Sequence, residues 1–162
     1  MWELDGIEEM TNHLYIMANY ERAYPQSSPR AASWGIEVEG VGLGSFLPAT
    51  GKGIGGHDGA VAQAYQLESP RVLQQFALVH LVRGEGRFYS EPSGELRLRE
   101  GDCFFLFPGI GHEYAPSPST GWDEDWVLFN GALPERLVRD GVLNSASPRF
   151  QAPYEGWRLH QR

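Results

Sequence analysis

Four short apolar runs between Leu78 and Asn130, each closed by turn-forming residues, constrain this chain more than anything else in it. The first reads Leu78-Val-His-Leu-Val-Arg-Gly84-Glu-Gly86-Arg-Phe, and the second Leu96-Arg-Leu-Arg-Glu-Gly101-Asp102. The third is Phe104-Phe-Leu-Phe-Pro108-Gly-Ile-Gly-His112-Glu-Tyr114, and the fourth Trp122-Asp-Glu-Asp-Trp126-Val-Leu-Phe-Asn130. Apolar runs separated by Gly, Pro, Ser and Asp read as antiparallel strands joined by tight turns. Gly84 and Gly86 bracket a corner, Ser93-Gly94 supplies a hairpin turn, and Gly101-Asp102 forms the step into the next strand, with Asp102 as its turn residue. Pro108 closes the third run because proline has no N–H to give a central ladder. The expected fold class is all-β, a small barrel or double-sheet jelly roll.

At 162 residues the chain is the size of one domain, large enough to close a single core. Twenty glycines and eleven prolines suit many turns and few long helices. No run has the apolar length a membrane span needs, and no charged, apolar, small-residue leader opens the chain. The single cysteine, Cys103, rules out an internal disulfide and, inside an apolar run, reads as a small buried hydrophobe. These features point to a reducing cytoplasm. The net charge is −8, the arginines are scattered and Lys52 is the only lysine. A DNA-binding face needs clustered positive charge to displace counterions from phosphates, so these residues are not expected to bind DNA alone.

Before residue 31 the chain reads as an arm, with a short strand around Leu14 to Met17, that covers either the barrel edge or a pocket. Trp34-Gly-Ile-Glu-Val-Glu alternates, which predicts a half-buried strand with Trp34, Ile36 and Val38 on one face. Gly51 to Gly59 holds Lys52 among glycines, but no Gly-Lys-Ser/Thr is present and no helix follows, so it reads as a loop tip and not a phosphate cradle. Tyr65-Gln-Leu and Val72 to Val82 read as further strands. The barrel is expected over 31–131. Beyond it, Gly131 and Pro134 signal one short helix, stopped at Gly141, followed by a tail to Arg162 without sustained periodicity.

The Gly-x-Gly corner, the hairpin, Gly101-Asp102 and Pro108-x-x-x-His112 together resemble the second half of a cupin barrel. The continuation Gly121-Trp122-Asp-Glu-Asp-Trp126-Val-Leu-Phe-Asn130-Gly131, then Pro134-Glu-Arg-Leu and Gly141-Val-Leu, is similar to the amino-terminal effector-binding domain of AraC-type transcription regulators. The likeness covers roughly Pro70 to Phe150. It implies a cytoplasmic sensory domain that binds a small polar effector, performs no chemistry and can form a homodimer. A separate helix-turn-helix domain, outside these 162 residues, would contact DNA.

Many cupins hold iron, manganese or zinc through His-x-His, a glutamate and a later histidine. The resemblance puts His112 at the later position but Arg71, Leu73 and Leu78 at the others, and none of these three offers a metal a usable lone pair. No metal or other cofactor is therefore expected, and no catalytic residue is assigned.

The expected ligand contacts are Tyr114, Trp126, Glu124, His112, Arg71 and His80. Tyr114 shares strand parity with His112, and the tyrosine matching it in the arabinose-responsive regulator contacts the sugar. Trp126 matches that protein's stacking tryptophan, with core packing as the alternative. Trp122, Glu124 and Trp126 alternate onto one face; Glu124 stands where that regulator has a histidine, and the alternative is a solvated charge in an acidic turn. Arg71 lies near the position of that regulator's arginine, the alternative being a surface residue. His112 reads either as a donor at the barrel mouth or as a brace for the turn after Pro108. His80 shares parity with Leu78, which points it into the barrel either as a ligand contact or as a satisfied core residue. The effector implied is a monosaccharide. Two other functions fit the chain: a metal-independent sugar isomerase or epimerase using His112 or His80 with Tyr114, and a dimerisation module with a filled barrel.

Overall fold

The computed structural model describes residues 15–26, 29–48, 64–65, 70–117 and 119–151. The first part of the expected arm, the loop around Lys52 and the tail after Gln151 lie outside the described residues.

In chain order the elements are β1 (Tyr15–Ala23), α1 (Pro29–Trp34), β2 (Glu37–Pro48), β3 (Ala64–Tyr65), β4 (Arg71–Val72), β5 (Phe76–Ser90), β6 (Gly94–Arg99), β7 (Asp102–Leu106), β8 (Gly111–Pro116), β9 (Trp122–Asn130), α2 (Ala132–Arg139) and β10 (Arg149–Gln151). All strand pairs are antiparallel. The path β10-β7-β5-β9-β2-β1-β3 forms one sheet, and β6, β5, β8 and β4 form the other. The fold is all-β, a cupin-like double-sheet barrel.

One strand builds both walls. The first half of β5 pairs with β7 and β9, its second half with β6 and β8. The Gly84-x-Gly86 corner therefore does not end a strand; it lets one strand pass from sheet to sheet. Gly84 sits at φ +90°, and a Cβ there would run into the Gly121 carbonyl. A Cβ on Gly86 would meet the Trp122 ring. Only glycine tolerates both the dihedral and the approach.

Period-two alternation places Ala77, Val79 and Leu81 inward, where they pack with Phe88, Leu98, Phe104, Leu106 and Trp122. A second cluster is made by Phe76, Phe107 and Phe129, with Ile36 and Leu143 packed against it. Fully burying side chains of this size stabilises by roughly 1.5–3 kcal/mol each. Cys103 is buried, and desolvation pushes its thiol up to about 11, with the neighbouring Asp102 adding to the effect. Asp102 is more than a turn residue. It opens β7 at 1% exposure, accepts from the Arg99 N–H at 2.9 Å and faces Arg149 at 3.6 Å.

Several expectations change. Trp34 ends α1 at 78% exposure and is not in a strand; β2 starts three residues later, beyond Gly35 at φ +73°. The Val72–Val82 run is broken at 73–75, between β4 and β5. The short strand expected around Leu14 to Met17 is there but longer: β1 runs Tyr15–Ala23 and pairs along β2. In the tail, β10 pairs with β7, a strand too short and too hedged by prolines to show periodicity. The helix expected around Pro134 is α2, and Gly131 at φ +126° brings its start against the Gly35 carbonyl, which accepts from the Leu133 N–H at 2.7 Å.

Candidate functional site: an aromatic cavity with one buried carboxyl

The central feature is a cavity of about 230 Å³ between the two sheets. It has an apolar floor of Leu73, Ala77, Val79, Leu106 and Leu128, and aromatic walls of Tyr20, Tyr24, Phe46, Tyr114, Trp122 and Trp126. Pro116 completes the wall, and two charged side chains, Arg71 and Glu124, reach in. At ~30 Å³ per water the space equals roughly eight waters, below the ~300–1,000 Å³ of drug-sized sites.

Strand β9 supplies Trp122, Glu124, Trp126 and Leu128 to the cavity by simple alternation. Opposite them on β2 stand Phe46, Gly44, Gly42 and Gly40. A register shift between Val38 and Gly40 turns the alternate glycines toward the cavity. A Cβ on Gly42 would approach Trp126 Cε2 to 2.6 Å, and one on Gly40 would touch Tyr24 and Trp126. The missing side chains are what let the indole lie flat on β2, with Tyr20 stacked at 6.5 Å between centroids.

The three-carboxylate run Asp123-Glu124-Asp125 divides by parity. Asp123 faces out, accepting from Ser45 Oγ and, at 2.8 Å, from Arg83 Nε. Asp125 also faces out, 3.6 Å from His80 Nδ1. Glu124 alone turns inward, 5% exposed. Burial pushes its carboxyl up to about 7, while Arg71 works in the opposite direction. Its Oε2 has no hydrogen-bond partner, nor has the Nε1–H of Trp122, itself 2% exposed.

Tyr114 is half-buried on β8 between Phe104 at 5.3 Å and Trp122 at 5.9 Å. The Arg71 guanidinium lies 4.6 Å from the centre of its ring, a cation–π approach. Desolvation, reinforced by Glu124, drives the Tyr114 hydroxyl up to about 12, so it stays a donor throughout the physiological range.

Tyr114, Trp126, Glu124 and Arg71 are thus brought together. The two histidines are elsewhere. His112 is 2% exposed, pairs in register with Arg71 and lies 3.2 Å from the Ile110 carbonyl through Nδ1, in a small crevice with Phe88 and Ser90. Burial lowers its pKa, which keeps it neutral. Its geometry is that of a brace behind Tyr114, at 6.2 Å between ring centres. His80 points away from the barrel interior, because Val79 and Leu81 take the inward positions; it lines an outer groove with Leu78, Cys103 and Asp125.

At the positions where cupins hold a metal, Arg71 and Leu73 line the cavity while Leu78 faces out. No group of three His, Cys, Asp or Glu stands together among the described residues. One carboxyl beside a guanidinium does not fit a transition metal, which needs several neutral or anionic donors.

The profile of the AraC-like ligand-binding domain matches residues 55–161, more than half of the chain. The chain belongs to that family. The family's model is that of a ligand-binding domain. No curated protein matches the sequence. Solved structures similar to it include the protein YhaK from Escherichia coli, at 9% identity and TM-score 0.49 over 70% of this chain and 45% of that one. A cupin 2 conserved barrel domain protein from Leptotrichia buccalis is 14% identical, at TM-score 0.40 over 68% of this chain and 40% of that one. A protein described as a predicted oxalate decarboxylase from Thermotoga maritima is 14% identical, at TM-score 0.43 over 75% of this chain and 96% of that one. The chain spans under half the length of the first two. Likenesses this distant say nothing about ligand or chemistry. Among the described residues no helix is long and apolar enough to cross a membrane.

Four aromatic residues of the cavity are not among the contacts expected from sequence: Tyr20, Tyr24, Phe46 and Trp122. Trp122 was detectable, since it shares parity with Glu124 and Trp126. The tyrosines sit at the end of the arm, where no motif marks them. Phe46 could be found only through its register opposite Trp122.

Proposed function

We propose that this domain senses a monosaccharide-sized polyol for a cytoplasmic AraC-type transcription regulator. A partner DNA-binding domain reads out the occupied state, the domain holds no metal and it turns nothing over. The observation that carries the reading is the cavity itself, an aromatic box with one buried carboxyl and one guanidinium. A sugar has the complementary surface: C–H faces that lie against Trp126, and hydroxyls that meet Glu124, Tyr114 and Arg71. The cavity volume favours a ligand of this size over a self-filled barrel serving only dimerisation. The donor set described above supports the absence of metal. The coupling to DNA is an allosteric one, in which effector binding shifts the barrel's contacts with its neighbours.

A thermal-shift screen of pentoses, hexoses and sugar acids, with calorimetry on any hit, tests the reading. The expected result is a stoichiometric binder that Trp126→Phe weakens. Uniform failure of the panel would overturn the sugar assignment.

One observation favours a second reading. A buried carboxyl poised near neutrality, as Glu124 is, suits proton transfer as well as recognition. A sugar isomerase or epimerase would use Glu124 and not His80, which faces away. Product analysis after prolonged incubation with each hit separates the two, since a sensor returns its ligand unchanged.

A further inference from the structure

We infer that Trp122 Nε1 and Glu124 Oε2 together read one hydroxyl group of the ligand on the cavity wall, making Trp122 a specificity-determining residue. The inference deepens the sugar reading and rests on it. The two side chains are neighbours on the inward face of β9, both line the cavity, and both are more than nine-tenths buried. Trp122 Nε1 lies near enough to the Glu124 carboxyl to favour its charged form, yet neither Nε1 nor Oε2 completes a hydrogen bond. Buried polar atoms are nearly always paired, so two unpaired ones side by side in a cavity mark where a partner belongs.

The chemistry of the pair identifies that partner. Indole N–H only donates, and Glu124 in its ionised form, the form that Arg71 and the Trp122 N–H favour, only accepts. A group that bridges them must accept from one and donate to the other at once. An alcohol hydroxyl does both; an ether, a carbonyl or an ammonium does only one. The surroundings reinforce the choice. Gly44 stands opposite Glu124 in register, where a Cβ would meet the Phe46 ring, and the Gly86 backbone sits beneath the Trp122 ring, where a side chain would displace the indole. Arg71, the cavity's only cation among the described residues, lies over Tyr114 and favours the ionised Glu124 carboxylate that such a hydroxyl would donate to.

The test uses L-arabinose, D-xylose and D-ribose with their mono-deoxy and mono-O-methyl derivatives, titrated calorimetrically into the unmodified protein. One ring position on the tightest pentose should show a loss of roughly 5- to 150-fold for both derivatives, the equivalent of about 1–3 kcal/mol at 1.4 kcal/mol per decade. Trp122→Phe and Glu124→Gln should each weaken that pentose, and their double variant should lose less than the sum, because one hydroxyl serves both. Equal affinity of every deoxy derivative would overturn the inference without any variant having to fold. A Trp122→Phe protein that melts earlier but binds the pentose unchanged would also overturn it, leaving the two atoms to a structural water. Failure of all three pentoses, together with every hexose and sugar acid of the wider screen, would remove the sugar reading and this inference together.

Discussion

Replacing Glu124 with glutamine should make the ligand-free domain more stable, and only above mildly acidic pH. The carboxyl's pKa rises from 4.5 to about 7 on folding, chiefly because burial penalises the anion. A raised folded pKa means the native state binds the proton more tightly than the unfolded chain. The stabilisation is fully present below the unfolded value and is lost as pH climbs through the folded one. A shift of this size is worth about 3 kcal/mol, most of it lost between about pH 5 and pH 8. Glutamine imitates the protonated carboxyl in shape and charge and does not titrate. Urea denaturation of both proteins at the two pH values isolates the effect. His112, whose pKa folding lowers, loses stability in the opposite direction as pH falls, but it is present in both proteins and cancels in the comparison. The glutamine variant should gain about 2–3 kcal/mol over the parent in going from the acidic to the alkaline condition. Parallel pH dependences would mean that Glu124 ionises as freely folded as unfolded, and the buried-carboxyl argument would fail.

Gly42→Ala should destabilise the domain by about 1–3 kcal/mol, because the new methyl meets both the Trp126 ring and the Glu21 carbonyl and neither is a flexible chain end; thermal melts with near-ultraviolet dichroism would register the displaced indole. Tyr114→Phe should leave the melting temperature close to the parent's and weaken the best ligand by about 1–3 kcal/mol, as a buried ligand hydroxyl loses its donor; calorimetry that finds equal affinity would count against Tyr114 as a contact. Elemental analysis of the purified domain should find no stoichiometric iron, zinc, manganese or nickel that survives mild chelation, given the guanidinium and leucine at the expected ligand positions.

Much of the barrel is legible because turns are local chemistry. Ser93-Gly94, Gly101 and Gly141 all sit at positive φ at their glycines, and each was marked by residue type alone. The inward set on β9 is equally visible, since period-two alternation orders Trp122, Glu124 and Trp126 without help from any other strand. What escapes is whatever depends on pairing. Gly40 and Gly42 look like flexible chain until the register of β2 against β9 shows that they make room for the Trp126 indole. Counting from Leu78 points His80 inward, but β5 turns Ala77, Val79 and Leu81 to the core, a choice made by the facing layers and not by β5's own nearly continuous apolar run. Trp34 reads as a strand residue by alternation, yet Pro29 starts a helix that Gly35 ends, and turn chemistry prevails over a short period.

The central claim is that the aromatic cavity holds a small polyol, and a crystal structure of the domain soaked with the tightest sugar from the screen tests it most directly. The account predicts a single sugar ring against Trp126, with hydroxyls within hydrogen-bonding reach of Glu124 and Tyr114 and the Arg71 guanidinium beside it. Density for that sugar elsewhere, in the outer groove beside His80 for instance, with the cavity holding only water, would contradict it.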